Sequence, residues 1–509
     1  VCATERTDKA PRIVLRSGAD DATAWTAVAI LQDHGYSVTL DRAGLPPTPR
    51  TPMPVRFALG VDRVLAAATP GSESEGTASG PTAIAGGFPS GPFVLVTLGA
   101  AAAPPEMGSA IRAEIGIEFD GLPEGRPPAA ARLVAARAPA AGYRVTAALP
   151  GWKSATTIAA DASPTAYTAA EQSLLATRRA ANDVAIILPT LLADAVTPVD
   201  HHPLVTPSTG SANGFATRLL TADFRSFARR VIRKALPITD EYWSVAVLPG
   251  DWRTANFGEA SVLPNPRTGF LADPFLFAHD GRMMLYVEEY EWETGRARIS
   301  AVEYRDGNFG ELQPVITEPF HMSFPFVFEY NGRLFMTPEC SASGELRLYE
   351  CMGFPYEWRF RATLLKGDKF VDPVILSQDG RWYLLVGKAD VTGEVNSRLY
   401  LYQADDPIAG TWHPVQRQPV VADARRARNG GLLREGNDWI RIGQEHGFGR
   451  YGNAATLNRI LHIGPTGYQE SQIGRIRPTW QPWLSGVHHL SGAAGHLAFD
   501  FRRTARTGR

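Results

Sequence analysis

The chain is poor in the features that would assign it quickly. It has three cysteines, Cys2, Cys340 and Cys351, and no pair has metal-ligand spacing. That excludes a zinc module and a disulfide framework. Cys340 and Cys351 are expected to stay separate reduced thiols, as in a cytosolic protein, although an oxidising compartment would let them pair. No stretch approaches the roughly 18 apolar residues of a membrane-spanning helix. Neither sign of charge is in excess: the net charge is −1, so no global field draws nucleic acid or an anionic membrane. There is no GxGxxG fingerprint; Ser17-Gly18-Ala19-Asp20 follows the first predicted strand without forming a phosphate loop. The opening VCATERTDKAPR has no apolar h-region, so a signal peptide is not expected and the cytoplasm is the expected location. It also lacks an initiator Met, which fits a processed or trimmed chain.

Aromatic residues are scarce before about residue 215, where Ala, Pro and Gly dominate, and frequent after Tyr242. The expected layout is an α/β domain over 1–205, a linker and helix over 206–240, an all-β domain over 241–503 and a tail over 504–509. In the first domain Arg12–Leu15, Tyr36–Leu40, Pro92–Val96 and Tyr143–Ala147 read as strands. Trp25–His34 and Tyr167–Ala181 read as helices, and Gly71–Gly91 as a loop. Leu219–Leu236 is a basic amphipathic helix, with Leu220, Phe224, Phe227, Val231 and Ala235 on one stripe. Such a helix is a candidate for peripheral membrane contact, against the commoner packing on its own domain.

The strongest signal is an internal repeat. LADPFLFAHDGRMMLYVEE, SFPFVFEYNGRLFMTPE and VDPVILSQDGRWYLLVGK each hold an X-Pro dipeptide, an apolar strand, a turn glycine and a second strand. Asp280-Gly281, Asn331-Gly332 and Asp379-Gly380 are hairpin dipeptides, because type I′ turns need positive φ at both central residues. Two degenerate copies follow, around Gly436 and Gly495. The five turn glycines lie 48–59 residues apart. Several strands per repeat at that period predict a five-bladed β-propeller. The last copy stops after two strands, so Tyr242–Val247 is expected to complete it and close the ring.

Antiparallel pairing then puts the residue before each Pro beside the residue seven after each turn glycine. On that count Asp273, Glu288, Glu339 and Asp372 converge on one mouth of the channel, with Arg428 opposite. Crowded carboxylates raise one another's pKa, and a pair split between acid and ion is what glycoside cleavage needs. The competing reading is that Asp before Pro merely starts a strand. His321, His488 and His489 are candidates for the same channel, to hold a central divalent cation or bind a sugar hydroxyl, or to pack structurally. Gln444, Glu445 and His446 also approach the rim. Tyr290, Trp292, Tyr451, Trp480 and Trp483 can stack on sugars or pack between blades. No other cofactor or metal is implied.

The run FLADPF…VEE, FHMSFPFVFEYNGRLFMTPE, FPYEW, KFVDPVIL and GVHHLS resembles the propeller of plant glucosamine inositolphosphorylceramide transferases and their bacterial relatives, over roughly 242–503. In bacterial relatives a formyltransferase-like Rossmann region often precedes it. Residues 12–200 are similar in outline but lack the Asn and His-Pro-Ser-Leu-Leu-Pro-type segment of active formyltransferases, so the resemblance implies a degenerate domain without formyl transfer. The propeller also resembles the arabinanase and levansucrase superfamily. That likeness implies Asp273 as base or nucleophile and Asp372 as the orienting carboxylate. Arg428 stands where that superfamily has its acidic Glu, so the proton is expected from Glu288 or Glu339, with Glu339 taken as the acid and Arg428 as a clamp on an anionic substrate group. The expected function is a glycoside hydrolase or glycosyl transferase acting on a glycan or glycoconjugate; the alternative is a non-catalytic glycan-binding or interaction propeller.

Overall fold

A computed structural model describes residues 11–17, 21–41, 53–67, 91–98, 110–119, 129–152, 154–196, 198–199, 211–235 and 241–504. Cys2, Gly18–Asp20, most of the Gly71–Gly91 stretch and Leu236 lie outside them, as do the side chains of 226, 227 and 229–235 on the basic helix. The chain divides into two compact units, Val1–Val231 and Ile232–Arg509. No helix among the described residues is long and apolar enough to cross a membrane.

The first unit is a mixed α/β sheet with helices. Its strands are β1 (Arg12–Ser17), β2 (Ser37–Asp41), β3 (Phe93–Leu98), β4 (Ile111–Phe119), β5 (Ala140–Ala148) and β6 (Thr156–Pro164), in spatial order β2-β1-β3-β4-β5-β6. β1 to β4 run parallel and β5 and β6 antiparallel. β3 is apolar but for Thr97 and buried at every position, as expected of a central parallel strand covered on both faces. The helices are α1 (Asp21–Asp33), α2 (Met53–Ala67), α3 (Ala129–Ala136), α4 (Ala169–Leu192) and α5 (Ala212–Ala235). Buried Asp62 of α2 accepts hydrogen bonds from the Ala169 and Ala170 amides (2.7 and 2.9 Å), capping the positive end of α4. α2, α3, β4 and β6 were not foreseen from the sequence.

The second unit is a five-bladed β-propeller. Blade 1 holds Gly269–His279, Arg282–Glu291 and Arg296–Arg305 with short outer strands. Blade 2 holds Ser323–Tyr330, Arg333–Glu339, Glu345–Gly353 and Glu357–Lys366. Blade 3 is built on Phe370–Gln378, Arg381–Lys388 and Arg398–Ala404. Blade 4 is built on Asn429–Glu435, Asp438–Gly447, Arg450–Gly464 and Gly467–Ile476. Blade 5 joins the chain's end to the propeller's start: His496–Thr504 pairs with Glu241–Pro249 over nine residue pairs, from Thr504↔Glu241 to His496↔Pro249. This closure satisfies the backbone of a strand that would otherwise be an exposed edge. Cys340 and Cys351 are free thiols.

One irregularity positions everything that follows. In blades 1 and 3 the X-Pro pairs Asp273-Pro274 and Asp372-Pro373 face a single residue of the second strand. Each is a β-bulge, and blade 2 carries the matching shift at Phe324-Pro325. Asp273, Phe324 and Asp372 adopt left-handed backbone, with φ of 50°, 49° and 46°. Non-glycine residues reach that region at a cost of order 1 kcal/mol or more, which surrounding contacts must offset. In blade 4 the bulged pair is Gly430-Gly431, because Asn429 pairs with Gly443. Arg428 therefore lies two residues before the position equivalent to Asp372. The register differs from the sequence count because Gly436 is the first rather than the second turn residue (Glu435↔Asp438) and the first strand is one residue shorter.

Candidate functional site

A bulge frees a backbone N–H that the ladder would have used, and a buried N–H needs an acceptor. Here carboxylates from the neighbouring blade supply it. Asp500 Oδ2 of blade 5 accepts from the Asp273 amide (3.2 Å), and Asp273 Oδ2 accepts from the Phe324 amide (3.1 Å). Glu339 Oε2 accepts from the Asp372 amide (3.3 Å), and Asn429 Nδ2 donates to the Asp372 carbonyl (2.7 Å). The acids thus stitch consecutive blades together around the channel, which also holds their side chains in fixed positions.

The site has two sides. On the blade 2–4 side every acidic oxygen is engaged. Arg428 donates from Nε to Asp372 Oδ2 (2.5 Å), from Nη2 to Asp372 Oδ1 and Glu339 Oε2 (3.4 and 3.2 Å), and from Nη1 to Asn396 Oδ1 (2.8 Å). Its guanidinium also lies 5.2 Å over the Tyr451 ring. Gln444 Nε2 donates to Asp372 Oδ2 (2.7 Å), and Ser341 Oγ to Glu339 Oε1 (2.8 Å). Burial, with Glu339 beside it, raises the Asp372 pKa against the pull of Arg428. Against that rise, three N–H groups point at its two oxygens, a geometry that favours the ionised form and suits Asp372 to accepting rather than donating.

The blade 5–1 side is different. His488 Nε2 lies 3.1 Å from Asp273 Oδ1 and His488 Nδ1 lies 2.9 Å from Asp500 Oδ2. These are ion-pair distances; neither Asp273 Oδ1 nor His488 Nδ1 has an in-line hydrogen bond. Burial opposes charge on His488, yet Asp500 and Asp273 outweigh it and push its pKa up to about 10. The ring sits 4.0 Å from Trp243 and 5.2 Å from Tyr451, aromatic faces that favour a cation. Burial likewise opposes charge on Asp273, but the His488 contact, with His489 and Arg428 behind it, brings its pKa down to about 2. Glu288 moves the other way: burial first, then the charge of Asp273, push it well above the ordinary carboxylate range. His321 Nε2 lies 3.4 Å from Glu288 Oε1. His321 Nδ1 accepts from the Ala297 amide (3.2 Å), which fixes the proton on Nε2, and burial lowers its pKa.

Asp273, His488 and Asp500 offer ligand atoms within 4.8 Å of one another, a spacing that would suit a metal ion. With no ion between them, the two carboxylates favour a protonated His488 ring; a metal there would take the place of that proton, because only the neutral ring has a lone pair to give. His489 is held neutral by burial, with a pKa of about 4, and packs edge-on against Phe275 and Phe324. His446 is similarly neutral, with a pKa of about 3, and stacks on Tyr451 at 5.1 Å. Glu445 is paired with Arg475.

Residues 257–479 match the family model described as glucosamine inositolphosphorylceramide transferase 1, N-terminal. The propeller is homologous to that domain. A curated relative, glucosamine inositolphosphorylceramide transferase 1 of Arabidopsis thaliana, is 33% identical over 215 residues, covering 40% of this chain and 27% of that protein. The Oryza sativa subsp. japonica protein of the same name is 31% identical over 214 residues. The chain therefore spans about a quarter of the length of the curated relatives it matches. Among solved structures, the catalytic domain of Coprinopsis cinerea GH62 α-L-arabinofuranosidase aligns with a TM-score of 0.37 and 14% identity, over 53% of this chain and 99% of that one. A thermostable family-43 glycoside hydrolase aligns at 0.35 and 12%, over 48% and 89%.

In this propeller Glu339, Asp372, Arg428 and Gln444 form one interblade network, Asp273, His488 and Asp500 form another, and Glu288 with His321 adjoins Asp273. Sequence reasoning missed Asp500, Asn396 and the bridging role of Asn429. Asp500 left a readable signal: it is the lone acid in HLAFDF, in the stretch facing the bulge where blades 1, 3 and 4 carry Val287, Val386 and Ile442.

Proposed function

We propose that the propeller is a carbohydrate-active enzyme acting on a glycoside or glycoconjugate, with Asp273 as base or nucleophile and Glu288 as proton donor. The observation that carries this reading is the contrast between two neighbouring buried carboxyl groups: Asp273 lies 3.1 Å from the His488 ring, which pulls its pKa down, whereas Glu288 faces the neutral His321 at 3.4 Å, and burial with the charge of Asp273 pushes its pKa up. Environments that split a pair this way assign the acid and the base. Held ionised beside His488, Asp273 is assigned the base or nucleophile role toward an anomeric carbon. Glu288 gives its proton to the departing glycosidic oxygen. Asp372 orients and Arg428 neutralises it. Glu339, occupied on both oxygens, is better suited to anchoring than to proton donation, and Arg428 has four of its five N–H donors on protein, so no clamp on an anionic substrate group is proposed.

The substrate class rests on the names of the homologues, which are glucosamine inositolphosphorylceramide transferases. The matched quarter of those proteins does not bring their transfer activity with it. A second reading, glycan binding without turnover, is favoured by one observation: the Arg428 bridge leaves Asp372 and Glu339 little chemical freedom.

The test is turnover of labelled glycans, with and without nucleotide sugars, by the wild type and by Asp273→Asn and Glu288→Gln. The proposal expects turnover that both variants abolish while remaining folded. Turnover that survives in both refutes the assignment, and binding without turnover in the wild type selects the second reading.

A further inference from the structure

Glu288 does not stand alone on its strand. Side chains alternate across a strand, so Glu288 and Tyr290 point to one face of blade 1, and Trp292 continues the row just past the strand's end. Phe270 on the paired strand stands opposite Tyr290. The Phe270 and Tyr290 rings stack at 4.7 Å and 19°, and Trp292 closes on both at 5.3 and 5.5 Å. At its inner end the group meets His321, 6.3 Å from Tyr290, which in turn faces the Glu288 carboxyl.

Three aromatic rings in contact are usually part of a core. These are not. Among the described residues they belong to none of the hydrophobic clusters of the propeller and pack against none, whereas Trp480 and Phe257 pack into the cluster around Phe499. Trp292 is 48% exposed. The platform is nevertheless rigidly built. The Trp292 amide donates to the Thr268 carbonyl (2.9 Å). The two strands approach so closely at Gly269 that a Cβ there would lie 1.7 Å from the Tyr290 carbonyl oxygen. Exposed aromatic surface held this firmly beside titratable groups marks a binding surface rather than packing.

We infer that Phe270, Tyr290 and Trp292 form a stacking subsite for a sugar ring, the one whose glycosidic oxygen receives the Glu288 proton. The inference rests on the proposed carbohydrate activity and places the leaving-group or acceptor side of the substrate outward along blade 1. A pyranose presents an apolar face of C–H groups that an aromatic ring covers without needing a particular hydroxyl pattern. The platform would therefore give affinity and direction, while selectivity comes from the polar groups at the channel mouth.

The experiment measures equilibrium binding of cellobiose and of its diamino counterpart, the glucosamine disaccharide, by calorimetry on the full chain. Wild type, Trp292→Ala, Trp292→Phe and Asp273→Asn are compared. The expected result is binding of at least one disaccharide by the wild type, weakened roughly tenfold in Trp292→Ala and largely restored in Trp292→Phe, with Asp273→Asn binding retained. Binding that is unchanged in Trp292→Ala overturns the subsite and leaves the carbohydrate reading standing. No binding of either disaccharide by the wild type overturns the subsite as drawn, and if turnover of every glycan is also absent, the underlying reading falls with it. Gly269→Ala supplies an independent check: displacing the hairpin without touching a ring should weaken binding as well, and unaltered binding in that folded variant also counts against the platform.

Discussion

The two sides of the channel mouth use the same residue types to opposite ends. On the blade 2–4 side, Arg428 meets Asp372 and Glu339 directly, and every acidic oxygen there has a donor. On the blade 5–1 side the cation is His488, caged between Asp273, Asp500 and two aromatic rings; it faces Asp273 Oδ1 at 3.1 Å, while Glu288 faces the neutral His321 at 3.4 Å. A saturated carboxylate holds a fold together, while an unsaturated one next to a fixed cation is poised to react. The lesson is that four converging acids are not one site. On the proposed function, two are structural in emphasis and two are chemical.

The largest effect expected from that division is on turnover. Asp273→Asn or Glu288→Gln should each lower kcat by roughly 10²–10⁴-fold, the usual range for a positioned acid or base. Steady-state kinetics on folded variants checks it. Equal losses from Glu339→Gln would erase the distinction between the two sides.

Arg428→Ala should act on stability first. Removing one partner of a buried ion pair leaves uncompensated charge and costs about 3–5 kcal/mol. A denaturant titration should show the propeller transition shifted to lower denaturant. An unshifted midpoint would mean the bridge contributes little.

The imidazolium makes a pH-dependent prediction. His488 has its folded pKa raised to about 10, above the usual value of about 6.5, so its stabilisation is fully present below about pH 6.5 and lost as pH rises through 10. Asp273 is depressed to about 2, so its share is present above about pH 4 and lost as pH falls through 2. The pair is at full strength between about pH 4 and 6.5. Unfolding free energy of the wild type should decline from pH 6.5 toward 10, and His488→Gln should flatten that decline. A variant with the wild-type slope would remove His488 as the source.

The smallest effect is at Asn396, which gives Arg428 one acceptor at the edge of the network. Asn396→Ala should cost about 1 kcal/mol by denaturant titration and leave turnover nearly unchanged. A loss as large as that of Arg428→Ala would show that the guanidinium depends on this one partner.

The propeller was legible because its hairpins repeat a physical requirement, positive φ at Asp280-Gly281, Asn331-Gly332 and Asp379-Gly380. Blade 4 was counted two residues out because its turn and strand length both depart from the others. Arg428 enters the network by the reach of its side chain, not by occupying a bulge. Pairwise chemistry was less legible than register: the repeat places Asp500 opposite the His488-His489 stretch, but not that its carboxylate would meet the His488 ring. In the first unit β4 was missed although Ile111, Ala113, Ile115 and Ile117 alternate with polar or small neighbours, a signal open to reading. β6, TTIAADASP, is rich in alanine and has little intrinsic strand preference; only its pairing with β5 makes it a strand.

The claim that the mouth holds one ionised and one protonated carboxyl can be tested without knowing the substrate. Infrared difference spectra at neutral pH, wild type minus Glu288→Gln, should show a protonated carboxyl band assigned to Glu288. Wild type minus Asp273→Asn should show an ionised carboxylate assigned to Asp273, together with a lowered Glu288 pKa, because the charge of Asp273 helps to raise it. A Glu288 that is ionised at neutral pH, or a proton that resides on Asp273 instead, would contradict the account.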